Sequence, residues 1–372
     1  MMSRIHFLPV RYGDSFVIEC DKGENHGVVV VDGGPSGGGS VLSAKLKEVG
    51  TPDLLVLSHY DDDHINGLFN YMKSCWMDGI LSAREIWANC AGNIKKEEEE
   101  MQFPVEKSVP GSPRVLSSIP QAVKFSRLLD AAAQSDEVGW REDIVEGFKK
   151  KFPFADIEVV SPTEEVREKA VTEMDVAAVN VDWEVPVQKK VGGLRETMVM
   201  NLDLDTPLEI LASHTPKAPE TRVAAQLANA SSIAFILRCD GLSILMLGDC
   251  YPHNVEAYLR KEGYSEDKPL QVDYVKVAHH GSKHNTSNEL LDIIRCNHFI
   301  ISTNGEKFKH PDRESVAHIL CHPKRDRNET VHLYFNCSLD EIMRNGEPFV
   351  NPDELETWNF EMHENMTVIE RL

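Results

Sequence analysis

The sequence predicts a mixed α/β fold whose strand ends carry the chemistry, and three observations lead there. Short apolar runs of β-branched and aliphatic residues end abruptly in Asp or His: Val28–Val31 before Asp32, Leu54–Leu57 before His59, Ser243–Leu247 before Asp249, Val272–Ala278 before His279. Such runs bounded by turn residues are the strand signal. Between them lie longer stretches with apolar residues at helical spacing. The third observation is the six-residue stretch His59-Tyr60-Asp61-Asp62-Asp63-His64, which holds two imidazoles and three carboxylates. Polar groups at strand ends, on loops held by a rigid sheet, are a common way to build an active site.

Taken in order, the chain opens with a strand and turn at His6–Ser15, followed by the run into Asp32-Gly33-Gly34. A helix is expected over Ile65–Cys75, directly after the His59–His64 loop, with its free amides aimed at the anionic end of a substrate. Residues 91–155 read as a helical insertion, with helices over Ser117–Ala133 and Arg141–Phe152. A short strand at 156–162 stops at Pro162. Residues 163–228 are polar, acidic and punctuated by Pro186, Pro207, Pro216 and Pro219, with Gly192-Gly193 between them, and read as a cap or loop insertion. The alternative for both insertions is surface elaboration without function. The core is therefore expected from 1–90 and 229–372, with 156–162.

Carboxylates are rarely fully buried unless paired or bound to metal. Alternating His and Asp at a strand end therefore read as a metal loop suited to Zn or Mn. The competing reading is a solvated acidic turn. Asp249 and the pair His279-His280 are the expected partners from other strand ends. Of that pair His280 is favoured as ligand, because Gly281 beside it allows close backbone approach. Cys250, next to Asp249, reads as a small buried residue.

These motifs together resemble the metallo-β-lactamase superfamily, and within it the competence-type DNA-uptake branch (ComEC-type). The carrying residues are the Gly13-Asp14-Ser15 turn, the His-x-Asp-x-Asp-His loop, Asn229-Ala230-Ser231-Ser232, Leu247-Gly248-Asp249, Lys276-Val277-Ala278-His279-His280-Gly281-Ser282, and Ser302-Thr303-Asn304-Gly305 with His310-Pro311. The resemblance implies an αββα sandwich and metal-assisted hydrolysis with two divalent ions. His59 and Asp61 would hold one ion, and Asp63, His64 and His280 (or His279) the other, with Asp249 between them. Asp32 would brace the loop, and Asp63, Ser282, Lys276 and His310 are candidates for catalytic contacts. Lys276 has an equal structural reading, since it sits mid-strand. The chain departs from the branch at Glu306 and Phe308-Lys309. It also lacks the superfamily's third His motif; His214 lies in that interval in an unmatched setting. Two similar αβ halves are implied, but no internal repeat is visible.

Composition bounds the function. The 372 residues carry 39 basic and 60 acidic side chains, a net charge of −21. Duplex-binding proteins normally show a basic footprint. A phosphodiester substrate is thus expected to be a short or single-stranded nucleic acid. Acidic groups such as Glu97–Glu100, Glu164-Glu165, Asp203 with Asp205, and Asp353-Glu354 read as solvated faces. No apolar run reaches the length that spans a bilayer, no basic apolar leader follows Met1, and the eight cysteines form no Cys-x-x-Cys pair. A cytoplasmic protein with reduced thiols and no membrane partner is expected. Two further readings stay open: a small-ester, lactone or cyclic-nucleotide hydrolase, and a non-catalytic metal-bound module whose acidic insertion binds a protein partner.

Overall fold

The computed structural model describes residues 2–90, 118–133, 138–180, 206–219, 224–307, 309–342 and 350–370. The runs Glu97–Glu100, Gly192-Gly193 and Asp203 with Asp205, and also Phe308, lie outside the described residues.

An antiparallel meander of β1 (Arg4–Phe7), β2 (Phe16–Lys22) and β3 (Asn25–Val31) opens the fold. Helix α1 (Gly38–Val49) leads to β4 (Leu54–Val56), α2 (Asp62–Asp78) and β5 (Glu85–Trp87), and α3 (Ser118–Ala133) leads to β6 (Gly139–Arg141). Then come β7 (Lys149–Lys151), β8 (Asp156–Ser161), α4 (Glu164–Asn180), α5 (Leu208–Leu211) and α6 (Ala224–Ala230). Next are β9 (Ala234–Cys239), β10 (Leu242–Met246), α7 (Pro252–Lys261), β11 (Leu270–Gln271) and β12 (Tyr274–Lys276). They are followed by α8 (Asn288–Leu291), β13 (Ile294–Arg295), β14 (His298–Ile301), α9 (Arg313–Leu320) and β15 (Val331–Phe335). Last are α10 (Leu339–Ile342), α11 (Pro352–Trp358), β16 (Phe360–His363) and β17 (Val368–Glu370).

Two large sheets result, ordered β17-β1-β2-β3-β4-β5-β6 and β16-β15-β14-β12-β10-β9-β8-β7. Strand alternation sorts the apolar residues into three layers. In β3, Val29 and Val31 face the other sheet and join Phe7, Phe16, Trp87, Phe235 and Ile300 in the inter-sheet core. Val28 and Val30 face outward onto α1, α2 and α3 through Leu42, Leu68, Phe125 and Leu129. The outer face of the second sheet is covered by α7 and α9 through Val255, Leu259, Val316 and Leu320. This is an αββα sandwich, the expected architecture.

One close approach fixes the start of α2. The Gly67 Cα lies so near Gly33 that a Cβ there would sit 1.7 Å from the Gly33 carbonyl oxygen, and one on Gly33 would sit 2.2 Å from Leu68 N. No other residue type fits either place, so the turn after Asp32 and the first turns of α2 are locked together.

The insertions differ from expectation. The helix expected over Arg141–Phe152 is absent; β6 and β7 instead extend the two sheets there. Trp140 and Phe148 are partly buried against separate layers, a two-sided demand that a single amphipathic helix cannot meet. Residues 164–180 form helix α4, which buries Ala170 and Met174 in the outer layer of the first sheet. Among the described residues no helix is long and apolar enough to cross a membrane, and all eight cysteines are free.

Candidate metal centre

Three chain segments deliver the site. Past β4, residues 57–61 carry His59 to the start of α2, whose cap is Asp61 and whose first turn holds Asp62 and Asp63. Carboxylates are favoured at this helix end by the free amides. Past β10, Gly248 turns with φ +51 and places Asp249. There its N–H donates to Ser232 Oγ at 3.1 Å. Past β12, the chain enters a short turn at Ala278–Gly281 in which His279 and His280 both adopt left-handed backbone, φ 48 and 54. Non-glycine residues rarely do so, and such strain clusters at functional sites.

The side chains converge on one oxygen. Asp249 Oδ2 lies 3.5 Å from His64 Nε2, 3.6 Å from His279 Nε2, 3.8 Å from His59 Nε2 and 3.9 Å from His280 Nε2. Asp61 Oδ2 is 3.7 Å from His59 Nε2, and Asp63 Oδ2 is 3.5 Å from His280 Nε2. These separations exceed good hydrogen bonds and suit the edges of a ligand set. The Nε2 atoms of His59, His64 and His280 and the Oδ1 of Asp249 are buried without a hydrogen-bond partner. Buried polar atoms are nearly always satisfied, so three orphaned nitrogens around one carboxylate fit a divalent ion.

Charge leads to the same conclusion. Asp14, Asp32, Asp63 and Asp249 are all buried, against one buried ammonium among the described residues, that of Lys276. With neutral imidazoles that leaves a large uncompensated negative charge, which divalent ions offset. The same field acts on the imidazoles. Burial opposes charge on His280, yet Asp14 and Asp249 hold it up to about 9. His64 is likewise raised despite burial, by Asp249 and Asp32. His279 goes the other way: burial, with His310 and His280 near, pushes it down to about 4 against the pull of Asp249.

The candidate imidazoles His64, His279 and His280 are oriented from behind. Asp32 accepts from Ser58 N at 2.7 Å and Ser58 Oγ at 2.6 Å, and pairs with His64 Nδ1 at 2.8 Å. His280 Nδ1 donates to the Ser302 carbonyl at 2.7 Å and lies 3.3 Å from Asp14 Oδ1. Asn285 holds the Asp249 and Cys250 carbonyls at 3.0 Å each, and its Oδ1 faces His279 Nδ1 at 3.2 Å. Such partners fix the ring orientation and tautomer of a metal-binding histidine. The bracing by Asp14, Asn285 and Ser302 was not read from the sequence. Asp14 sits in the Gly-Asp-Ser turn, so a signal existed for it; Asn285 gave none.

The remaining candidates separate. His310 stands at the rim, its ring 5.2 Å from that of His279 and its Nδ1 3.3 Å from Asp312 Oδ2. Lys276 has no exposure; its Nζ pairs with Asp14 and donates to the Gly248 carbonyl at 3.1 Å. Its Nζ also lies 3.9 Å from Asp249 Oδ1, and this enclosed ion-pair setting favours the structural reading of Lys276. Ser282 is buried, and its Oγ faces His284 N at 3.5 Å inside its own turn. His214 is exposed and lies beside His318. Access is from the side of Asp61, His279 and His310, whose side chains are 26%, 21% and 14% exposed. Tyr12 and Lys307 flank Asp63 there, the ammonium 4.9 Å from the Tyr12 ring centre. Glu306 pairs with Arg11 at 2.9 Å.

Residues 8–107 match the family model described as the metallo-beta-lactamase superfamily. The crystal structure of the metallo-beta-lactamase fold protein YhfI from Bacillus subtilis is similar over 100% of each chain, at 9% identity and a TM-score of 0.38. No curated protein matches the chain. Residues 8–107, the stretch similar to the metallo-beta-lactamase superfamily model, contain the whole His59–His64 loop.

Proposed function

We propose that the chain is a metal-dependent hydrolase of phosphodiesters, most suited to short or single-stranded nucleic acid. The observation that carries the hydrolase reading is the convergence of three partnerless imidazole nitrogens on Asp249. His59 and Asp61 would hold one ion and Asp63, His64 and His280 the other, with Asp249 serving both. His279, at 3.6 Å from the same oxygen, would supply the ligand that the first set otherwise lacks. Two divalent ions, Zn or Mn, would activate water and stabilise charge on the attacking and leaving oxygens.

The surrounding side chains support an anionic substrate. Lys307, over the Tyr12 ring and close enough to act on Asp63, would offer a cation to a phosphate. His310, at the rim beside His279, would give a proton to a leaving alkoxide. The net charge of −21 disfavours long duplex DNA, which needs many basic contacts.

The test compares bis-p-nitrophenyl phosphate, short single-stranded oligonucleotides and p-nitrophenyl acetate, with Zn or Mn restored after chelation. Metal-dependent cleavage of the first two, lost in Asp249→Ala, is expected. Cleavage of the acetate alone would move the reading to a carboxylic-ester or lactone hydrolase. No hydrolysis by a fully metal-loaded protein would leave a binding module.

A further inference from the structure

A second group of metal-ligating side chains lies at the other end of the second sheet. His298, His332 and Glu361 stand side by side in register on β14, β15 and β16, and Tyr334 and His363 pair one step further on. These positions are near the N-terminal ends of β14 and β15, whereas Asp249, His279 and Ser302 lie past the C-terminal ends of β10, β12 and β14.

Three donor atoms face one another there. His332 Nδ1 is 3.0 Å from His363 Nε2, and Glu361 Oε2 is 3.5 Å from the first and 3.7 Å from the second. The point equidistant from the three donors lies about 2.0 Å from each, which is the bond length of Zn²⁺ to imidazole and carboxylate. A proton shared between the two nitrogens would explain the short edge. It would not explain the carboxylate, whose two contacts are long for N–H···O bonds.

The rings are held, unlike ordinary surface histidines. His332 stacks on His298 at 4.8 Å with 6° between planes, and His363 stacks on Tyr334 at 4.7 Å with 16°. Side-chain exposures of 25% for His332, 32% for His363 and 60% for Glu361 leave one side open to water or a further ligand.

We propose that His332, His363 and Glu361 form a separate site for a borderline divalent transition ion of the Zn²⁺ class, tying the edge strand β16 to β15. Two imidazoles and one carboxylate suit such an ion better than Mg²⁺ or Ca²⁺.

The experiment uses the full chain. Wild type and the His332→Gln/His363→Gln double variant are equilibrated with Zn²⁺, dialysed and analysed for bound metal, with thermal unfolding followed in parallel. The double variant should hold one ion fewer per chain, lose part of the Zn²⁺-induced rise in melting temperature, and keep the hydrolytic activity of the wild type. Equal zinc content in wild type and a folded double variant overturns the site. Should the double variant not fold, Glu361→Gln replaces it, since that carboxylate is largely exposed. It should weaken binding of that one ion by roughly tenfold or more, and an unchanged titration overturns the site equally.

Discussion

His279 and His280 are neighbours in sequence, yet both Nε2 atoms face the same oxygen, Asp249 Oδ2, at 3.6 and 3.9 Å. In an extended strand adjacent side chains point to opposite faces. Two successive left-handed residues remove that alternation and turn both rings into one pocket. In the proposed assignment both rings are ligands, with a division of labour between them. His280, 1% exposed, goes with Asp63 at the floor, and His279, 21% exposed, goes to the mouth.

Single substitutions should separate the two roles. His280→Ala should abolish hydrolysis, a loss of roughly 10³-fold or more if several kcal/mol of transition-state stabilisation go with the ion. His279→Ala should leave one ion bound and weaken the other, so that activity returns partly at high metal concentration. Elemental analysis of the dialysed proteins, with rates measured across a metal titration, decides. Equal metal content in both variants and wild type would show that neither ring is a ligand.

Asp32 touches no expected ion, yet both its oxygens are committed to the loop that carries the ligands. Asp32→Asn keeps the shape but offers an amide N–H₂ where His64 Nδ1 and Ser58 Oγ meet an acceptor. Metal affinity should fall by roughly 10–100-fold, with kcat restored at saturating metal. Calorimetric titration of the metal-free protein measures this directly, and an unchanged affinity would mean that α2 alone orients His64.

The salt bridge between Lys276 and Asp14 is the structural counterpart of the metal set. Burial works against the ammonium, but Asp14 and Asp249 outweigh it and hold the Lys276 pKa above the ordinary lysine value. The same ammonium, with His280, keeps Asp14 down at about 2 despite its burial. Lys276→Met should therefore cost about 3–5 kcal/mol, because it strands a buried carboxylate. Adding Asp14→Asn should recover part of that loss. Denaturant unfolding of the single and double variants tests both statements; a double variant no more stable than Lys276→Met would place the cost in packing.

How much of this was legible in the sequence depended on how local each signal was. The strand ends at Asp32, His59, Asp249 and His279 could be read because a β run and its terminating side chain lie within a few residues. Helix α2 was expected from Ile65 but starts at Asp62, because its first turn is made of the carboxylates that marked the loop. The bracing groups were hidden, since Asp14 meets His280 and Lys276 only through the packing of one sheet on the other. Residues 141–152 misled because Ile144 and Phe148 mimic a helical stripe while both are committed to the inter-sheet core.

The acidic segment 163–228 was expected to be a removable cap, and α4 alters that expectation. Met174 and Ala170 on α4 are buried in the helical layer over the first sheet, alongside Leu129 of α3 and Leu227 of α6. Helix α6 in turn carries Asn229, whose Nδ2 is 3.5 Å from His279 Nδ1. Near the ligand loop, the field of Glu173 on α4 reaches Tyr60, the residue between Ser58-His59 and Asp61. Deleting the whole segment should then unfold part of the layer instead of opening the mouth. Met174→Ala alone should cost about 2–5 kcal/mol, read by thermal or denaturant unfolding. Replacing only 181–205 by a short Gly-Ser linker should preserve the fold. If acidity in that stretch repels long polyanions, the linker variant should gain activity on long single strands relative to short ones. An unchanged length preference in the folded linker variant would assign the exclusion of long substrates to α4 and the rim, where Glu173 and Asp61 remain.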